Sequence, residues 1–198
     1  VFHAETTDRL LICGSNGRFY TLSASSLPGG RGMGEPLRLM VDLPNEAEIV
    51  ALFIHQPGRK LIVASTAGDG FVVSEDDIVA QTRAGKQVLN VRGDVRALVC
   101  KPVDGDHLAT VGENRKMLVF PTADLPEMGR GKGVRLQKYK DGGLRDARTF
   151  TLADGLSWLD PAGRTRTVSA EDLAEWIGVR AGAGRMAPRG FPQDNRFS

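Results

Sequence analysis

The chain has 198 residues, 41% of them hydrophobic and 25% charged, and a formal net charge of +2. That is an ordinary globular composition, with room for one large core or an array of small ones, and no overall basicity announces a polyanionic partner. Two cysteines exclude a disulfide scaffold, and no apolar run approaches the roughly 20 residues that a bilayer-spanning helix needs.

In chain order, the amino-terminal V-F-H-A-E-T-T-D has no charged-then-apolar signal pattern and no initiator Met, and reads as the start of a piece of a longer chain. Short apolar runs follow: R-L-L-I-C-G, G-R-F-Y-T-L, I-V-A-L-F-I, R-K-L-I-V-A-S, G-F-V-V-S, V-R-A-L-V-C and M-L-V-F-P. They alternate or stop at turn residues, which predicts strands of about 4–6 residues. Hairpin signals lie at Ser15–Arg18, Ala67–Gly70, Glu113–Lys116 and Pro161–Arg164, where Asn, Gly and Asp tolerate the positive φ of tight turns. Cys13 and Cys100 each end an apolar run, which predicts buried free thiols and fits a reducing, cytoplasmic compartment.

The four turns recur about every 45–53 residues, and the rest of the unit recurs with them. A strand is followed by a polar stretch that closes on Leu27, Ile78, Leu125 or Leu173, and then by a basic, glycine-bearing loop. Stacked without gaps, R-G-M-G-E-P-L (31–37), R-A-G-K-Q-V-L (83–89) and R-G-K-G-V-R-L (130–136) coincide, with R-A-G-A-G-R-M (180–186) as a looser fourth copy. Residues 1–198 therefore read as one domain of four units, about 1–58, 59–105, 106–155 and 156–198. About four strands in each ~50-residue unit predict an all-β, propeller-like array of four-stranded blades, stacked so that each blade buries its faces against its neighbours. In the last unit S-A-E-D-L-A-E-W-I-G-V predicts the one good helix, with Ser169 as N-cap and Gly178 as its end. The tail P-R-G-F-P-Q-D-N-R-F-S predicts a segment that is loose or draped over a blade.

No catalytic constellation emerges. His3, His55 and His107 are unpaired at metal-ligand spacing, and no G-x-S-x-G nucleophile elbow is present. The stretch Met128–Lys140 is no nucleotide cradle, because Gly131-Lys132 is followed by Gly133 rather than Ser or Thr. Asp76-Asp77 and Glu171-Asp172 read as turn caps that offset nearby cations. What remains is charge placement. Residues 1–99 hold 10 Lys+Arg against 11 Asp+Glu, residues 100–198 hold 16 against 13, and Met128–Arg148 holds 7 against 2. Equivalent loops on a ring project at equivalent places, so Arg31, Arg83, Lys86, Arg130, Lys132 and Arg180, with Arg38 behind the first copy, would form a row. Arg135, Lys138 and Lys140 would widen it. Lys and Arg bind phosphates with little regard to sequence, and glycine lets a backbone come close. Aromatics are scarce, which favours duplex backbone contact over stacking on single strands.

Long ordered stretches carry a resemblance: N-G-R-F-Y-T-L-x-x-x-x-L-P-G-G-R-G-x-G-E-P, V-A-Q-T-R-A-G-K-Q-V-L-N-V, G-E-N-R-K-M-L-V-F-P, M-G-R-G-K-G-V-R-L-Q-K-Y-K-D-G-G-L and A-E-W-I-G-V-R-A-G-A-G-R-M-A-P-R-G-F-P. Along essentially its whole length the chain resembles the C-terminal domain of the A subunit of DNA topoisomerase IV, of the proteobacterial type. The resemblance implies a β-pinwheel whose blades exchange strands, as an open or incomplete ring, carrying double-stranded DNA on its basic perimeter. It implies no cofactor in this domain, with ATP and Mg used by other parts of a parent type IIA enzyme. The implied partners are the ATPase subunit of topoisomerase IV, together with the catalytic core of the same subunit, on a bacterial chromosome in the cytoplasm, with no membrane. Neither Tyr20 nor Tyr139 matches a cleavage motif. The Q-R-R-G-G-K-G box of the related gyrase subunit has only a partial counterpart, Glu127–Gly133, in a later unit, which argues against gyrase-type wrapping. The chain starts inside a unit, as though the first blade of the family were missing. Two readings from other classes stand beside this one: a protein-interaction propeller docking acidic partners, and a propeller enzyme, for which convergent acids or metal ligands near the axis are not found.

Overall fold

A computed structural model describes residues 3–27 and 37–198. Fourteen strands are present among them: β1 (Arg9–Gly14), β2 (Arg18–Ser23), β3 (Ile49–Ile54), β4 (Lys60–Ser65), β5 (Asp69–Ser74), β6 (Lys86–Gln87), β7 (Ala97–Pro102), β8 (His107–Gly112), β9 (Lys116–Pro121), β10 (Val134–Arg135), β11 (Leu144–Phe150), β12 (Leu156–Leu159), β13 (Thr165–Val168) and β14 (Arg185–Met186). They form three four-stranded sheets, ordered β3-β1-β2-β6, β10-β5-β4-β7 and β11-β8-β9-β14, and the hairpin β12-β13. Every named pairing is antiparallel. The predicted all-β pinwheel architecture is present, and the sheets are open rather than closed into one barrel.

Each sheet is built around a hairpin whose turn needs the left-handed region. Gly17, Gly68 and Gly163 hold φ of +79°, +88° and +79°. The remaining turn places Arg115 there, at +65°. Its side chain has a use that glycine could not serve. Nη1 donates to the Pro192 carbonyl (2.7 Å) and to Asn195 Oδ1 (3.0 Å), Nη2 donates to the Phe191 carbonyl, and the guanidinium lies 5.8 Å from the Phe191 ring centroid.

Period-two alternation decides which side of a strand meets which neighbour. Leu11 and Cys13 of the first sheet share a core with Leu61, Val63, Phe71 and Val73 of the second. The intervening Ile62 and Ala64 face the other way, onto Leu108, Leu118, Phe120 and Leu144 of the third. Ala109, Val111 and Val119 then pack on Leu156 and Trp158 of the last hairpin. Every inner sheet is thus buried on both faces. At about 1.5–3 kcal/mol for each fully buried large aliphatic or aromatic side chain, these interfaces supply the main cohesion. The outer face of the first sheet, Ile12 and Tyr20, is covered by Val41, Leu43 and Ala47.

One sequence expectation is corrected here and another is decided. The helix expected from Ser169 does not form. The cap bond is made, Asp172 N to Ser169 Oγ at 3.3 Å, but the residues beyond form a run of turns. The Trp176 carbonyl accepts from Val119 N, and Gly178 N donates to the Val119 carbonyl, so an edge of β9 pulls this segment extended. A helix of about eight residues is marginal on its own and yields to that contact. Of the two readings of the tail, the structure shows the draped one. Phe191 and Phe197 are 2% and 0% exposed, and Phe191 meets both Trp158 and Phe197 edge-on at 5.3 Å between centroids.

Both thiols are free and buried, as expected. Burial pushes the Cys100 thiol up, and the neighbouring Cys13 thiol adds to the shift. A raised thiol pKa leaves less nucleophilic thiolate. Ellman's reagent at about pH 8 is therefore expected to find no reactive thiol in the folded chain and two after denaturation.

Candidate nucleic-acid interface

The two-residue strands β6, β10 and β14 come from the basic loops, and each pairs with the sheet before its own. β6 pairs β2, β10 pairs β5 and β14 pairs β9. A glycine opens each of these strands. Gly85, Gly133 and Gly184 have φ of +74°, +85° and +77°. A Cβ at these positions would lie 2.6 Å from the Phe19 carbonyl oxygen, 2.3 Å from that of Gly70 and 2.4 Å from that of Met117. Just past each short strand, the amides of Val88, Leu136 and Ala187 donate back to the carbonyls of Gly17, Gly68 and Arg115.

This geometry corrects the gapless stacking of the loops. Gly85, Gly133 and Gly184 occupy one structural position, so Arg83, Arg130 and Arg180 stand two, three and four residues ahead of it. The repeat is held by the glycine and not by the arginine. A one-residue slip in an extended segment moves each side chain to the opposite face, so the loops present their cations differently.

Successive loops nonetheless touch. Gly131 N donates to the Val88 carbonyl (2.9 Å), and Asn90 N to that of Gly131 (2.8 Å). Ala181 N donates to the Leu136 carbonyl (2.9 Å), and Lys138 N to that of Gly182 (2.9 Å). The second, third and fourth loops therefore run as one hydrogen-bonded belt.

The expected site residues fall into two sets. Some are tied down. Arg38, in a short helical turn at Leu37–Met40, donates to the Pro44 carbonyl at 3.1 Å. Arg83 lies 3.6 Å from Asp42 and donates to the Leu39 carbonyl; Lys86 donates to the Asp77 carbonyl. Arg180 donates to the Arg135 carbonyl at 2.8 Å. The others face solvent. Arg130 makes only a 3.5 Å contact with Asn90, and Lys132 lies 3.7 Å from Asp69. Arg135, Lys138 and Lys140 are exposed, and no side-chain partner is found for them among the described residues. Arg31 lies outside the described residues.

A cleft of about 530 Å³ opens beside β10, lined among others by Ser65, Asp69, Asn90, Arg92, Lys132 and Arg135. Arg92 was missed from sequence, because it lies past the end of the repeated loop. Tyr139 packs between Gly68 and Gly112; its hydroxyl is buried and unpaired, and burial with the Asp69 charge pushes the phenol up, out of reach of nucleophilic use at neutral pH. His55 and Arg59 are bound to buried Glu75, and His107 to Asp106, which is structural service. No group of three or more metal-ligating side chains occurs among the described residues. No helix there is long and apolar enough to cross a membrane.

Open four-stranded sheets completed by a strand from the next unit define a propeller-class module of the β-pinwheel type. The chain belongs to the DNA gyrase C-terminal domain family, beta-propeller, which matches residues 8–56, 59–99 and 106–145. It is 50% identical over 194 residues to the A subunit of DNA topoisomerase 4 from Caulobacter vibrioides, and 41% identical over 198 residues to that from Rickettsia bellii. Those alignments cover 98% and 100% of this chain but 25% and 26% of the relatives, so the chain spans about a quarter of their length. Among solved structures, the Escherichia coli ParC C-terminal domain matches with a TM-score of 0.83 at 27% identity, covering 96% of this chain and 80% of that one. A DNA gyrase A C-terminal domain matches in fold, with a TM-score of 0.58 at 14% identity, covering 94% and 80%. The resemblance read from the sequence is borne out.

The exchange glycine supplies a test. Gly133→Ala places a methyl group against backbone at a positive φ and should cost at least about 2 kcal/mol in urea unfolding. Gly129, with open space around a Cβ, should accept Ala within about 0.5 kcal/mol. Equal effects would refute the role given to Gly133.

Proposed function

We propose that this chain is a non-catalytic, DNA-binding and DNA-bending module of the A subunit of a type IIA topoisomerase. It engages duplex DNA through backbone phosphates on the belt of basic loops. In the parent enzyme it sets the preference for linked or supercoiled DNA during ATP-dependent decatenation and relaxation. Its partners there are the ATPase subunit, together with the catalytic core of its own subunit, on the bacterial chromosome.

The observation that carries this reading is the run Arg130, Lys132, Arg135, Lys138 and Lys140, exposed along a segment hydrogen-bonded to the loops on both sides. Tethered cations such as Lys86 already direct their charge at protein carbonyls and have less to offer a phosphate. Arg135, Lys138 and Lys140 lose only water when they meet a polyanion, and Arg130 and Lys132 give up one loose contact each. Contact of this kind releases counterions and is read in the salt dependence.

Neutralising about four or five phosphates gives a log–log slope of affinity against salt near −4. Replacing Arg130, Lys132, Arg135 and Lys138 together by Ala should flatten the slope by about two or more. An unchanged slope refutes the site. Binding to an acidic protein that survives excess duplex competitor would favour a protein-docking module instead. Comparing linear with supercoiled DNA in the same titration tests the substrate preference.

A further inference from the structure

The cleft beside β10 holds a charge that does not fit a uniformly basic belt. Asp69 begins β5 and pairs with Arg135 across the exchange strand. In the two neighbouring sheets the structurally equivalent residues, which begin β2 and β9, are Arg18 and Lys116. Asp69 is 6% exposed, so its carboxylate is mostly withdrawn from water. Its nearest cation is Lys132 Nζ at 3.7 Å, too far for a hydrogen bond. A buried carboxylate normally takes hydrogen bonds or a close partner. Here it has one loose ion pair at the wall of an open cleft.

Three cationic side chains border the same cleft from two different segments. Lys132 and Arg135 come from the third basic loop, and Arg92 from the connection between β6 and β7. All three are exposed, and only Lys132 has a charged partner among the described residues. Asn90 adds an amide on the wall, already within 3.5 Å of Arg130. Three cations against one carboxylate leave an excess of two positive charges around a concavity. That excess matches a tetrahedral oxyanion approached by donors from several sides.

We propose that this cleft is a single phosphate seat at the junction of the first and second sheets. Arg92, Lys132 and Arg135 converge on one phosphodiester of the bound duplex. Asp69 is a positioning residue behind them, holding Lys132 over the cleft and restraining the strength of the contact. The proposal rests on the DNA-binding reading above and adds a residue, Arg92, from outside the repeated loops. It also gives Asp69 a function: the seat positions the duplex while the carboxylate keeps it releasable.

The test is duplex binding against salt on the full chain, for wild type, the triple variant Arg92→Ala/Lys132→Ala/Arg135→Ala, and Asp69→Asn. Thermal unfolding of the triple variant beside wild type reports any stability lost where Asp69 is left without Lys132, so that a folding defect is not read as a lost contact. Convergence on one phosphate predicts a slope flattened by about 0.9 in the triple variant; separate contacts to three phosphates would flatten it by about 2.7 and overturn the seat. Asp69→Asn, which keeps the shape and removes the charge, should bind about two- to fivefold tighter at low salt. Unchanged or weaker binding would overturn the role of Asp69. Inorganic phosphate at constant ionic strength separates the sources of the anion. If millimolar phosphate binds wild type and not the triple variant, yet leaves duplex affinity unchanged, the cleft serves a free phosphate and the assignment to the backbone fails; phosphate that displaces duplex from wild type and not from the triple variant supports the seat. A wild-type chain with no salt-dependent duplex binding overturns the DNA reading itself, whatever the variants do.

Discussion

A glycine backed against the carbonyl of another unit's strand is the contact on which the rest of the molecule depends. At Gly85, Gly133 and Gly184 the chain crosses from its own unit to the edge of the sheet before it. The crossing needs a left-handed residue with no side chain, because a methyl group would meet a main-chain oxygen at 2.3–2.6 Å. Once made, the crossing completes a sheet that its own unit cannot finish, and it commits each unit to the next. It also fixes where the charge goes. The cations flanking the glycine are carried to the edge of the neighbouring sheet, and successive loops bond to one another there. Fold and candidate interface are consequences of one backbone constraint.

The same constraint sorts the cations. Those held by nearby carbonyls or carboxylates, such as Arg38, Arg83, Lys86 and Arg180, brace the loops. Arg130, Lys132, Arg135, Lys138 and Lys140 stand clear of protein acceptors or nearly so. The net charge of +2 conceals this division, because electrostatic binding depends on which charges are both exposed and unpaired. Asp69 is the informative exception, since it sits where adjacent sheets carry a cation and moderates the most basic segment of the chain.

Much of this was legible in the residues. Asn16-Gly17 and Gly68 marked their hairpins because those turns need positive φ, and the short apolar run in R-K-L-I-V-A-S marked a strand, which the structure buries on both sides. The family resemblance rested on long ordered strings and held. What sequence could not show was register. Arginine is the more conspicuous residue of the loops, but the glycine is the one the backbone requires, and only the paired carbonyl reveals it. The segment after Ser169 had the local pattern of a helix, yet a contact with Val119, about 50 residues earlier in the chain, decided its shape, as tertiary context commonly overrides propensity. The tail looked polar and proline-bearing, and its two phenylalanines found a core formed by Trp158 and closed by Arg115. Arg115 did leave a trace, as the one arginine standing where the other turns place glycine.

The most direct test of the account is amide hydrogen exchange of the chain with and without a saturating short duplex. The belt reading predicts slowed exchange concentrated in residues 88–95, 129–140 and 180–184, with the hairpin β12-β13 unaffected. Protection confined to β12-β13 or to the tail around Phe191 and Phe197, with the loops unchanged, would contradict it.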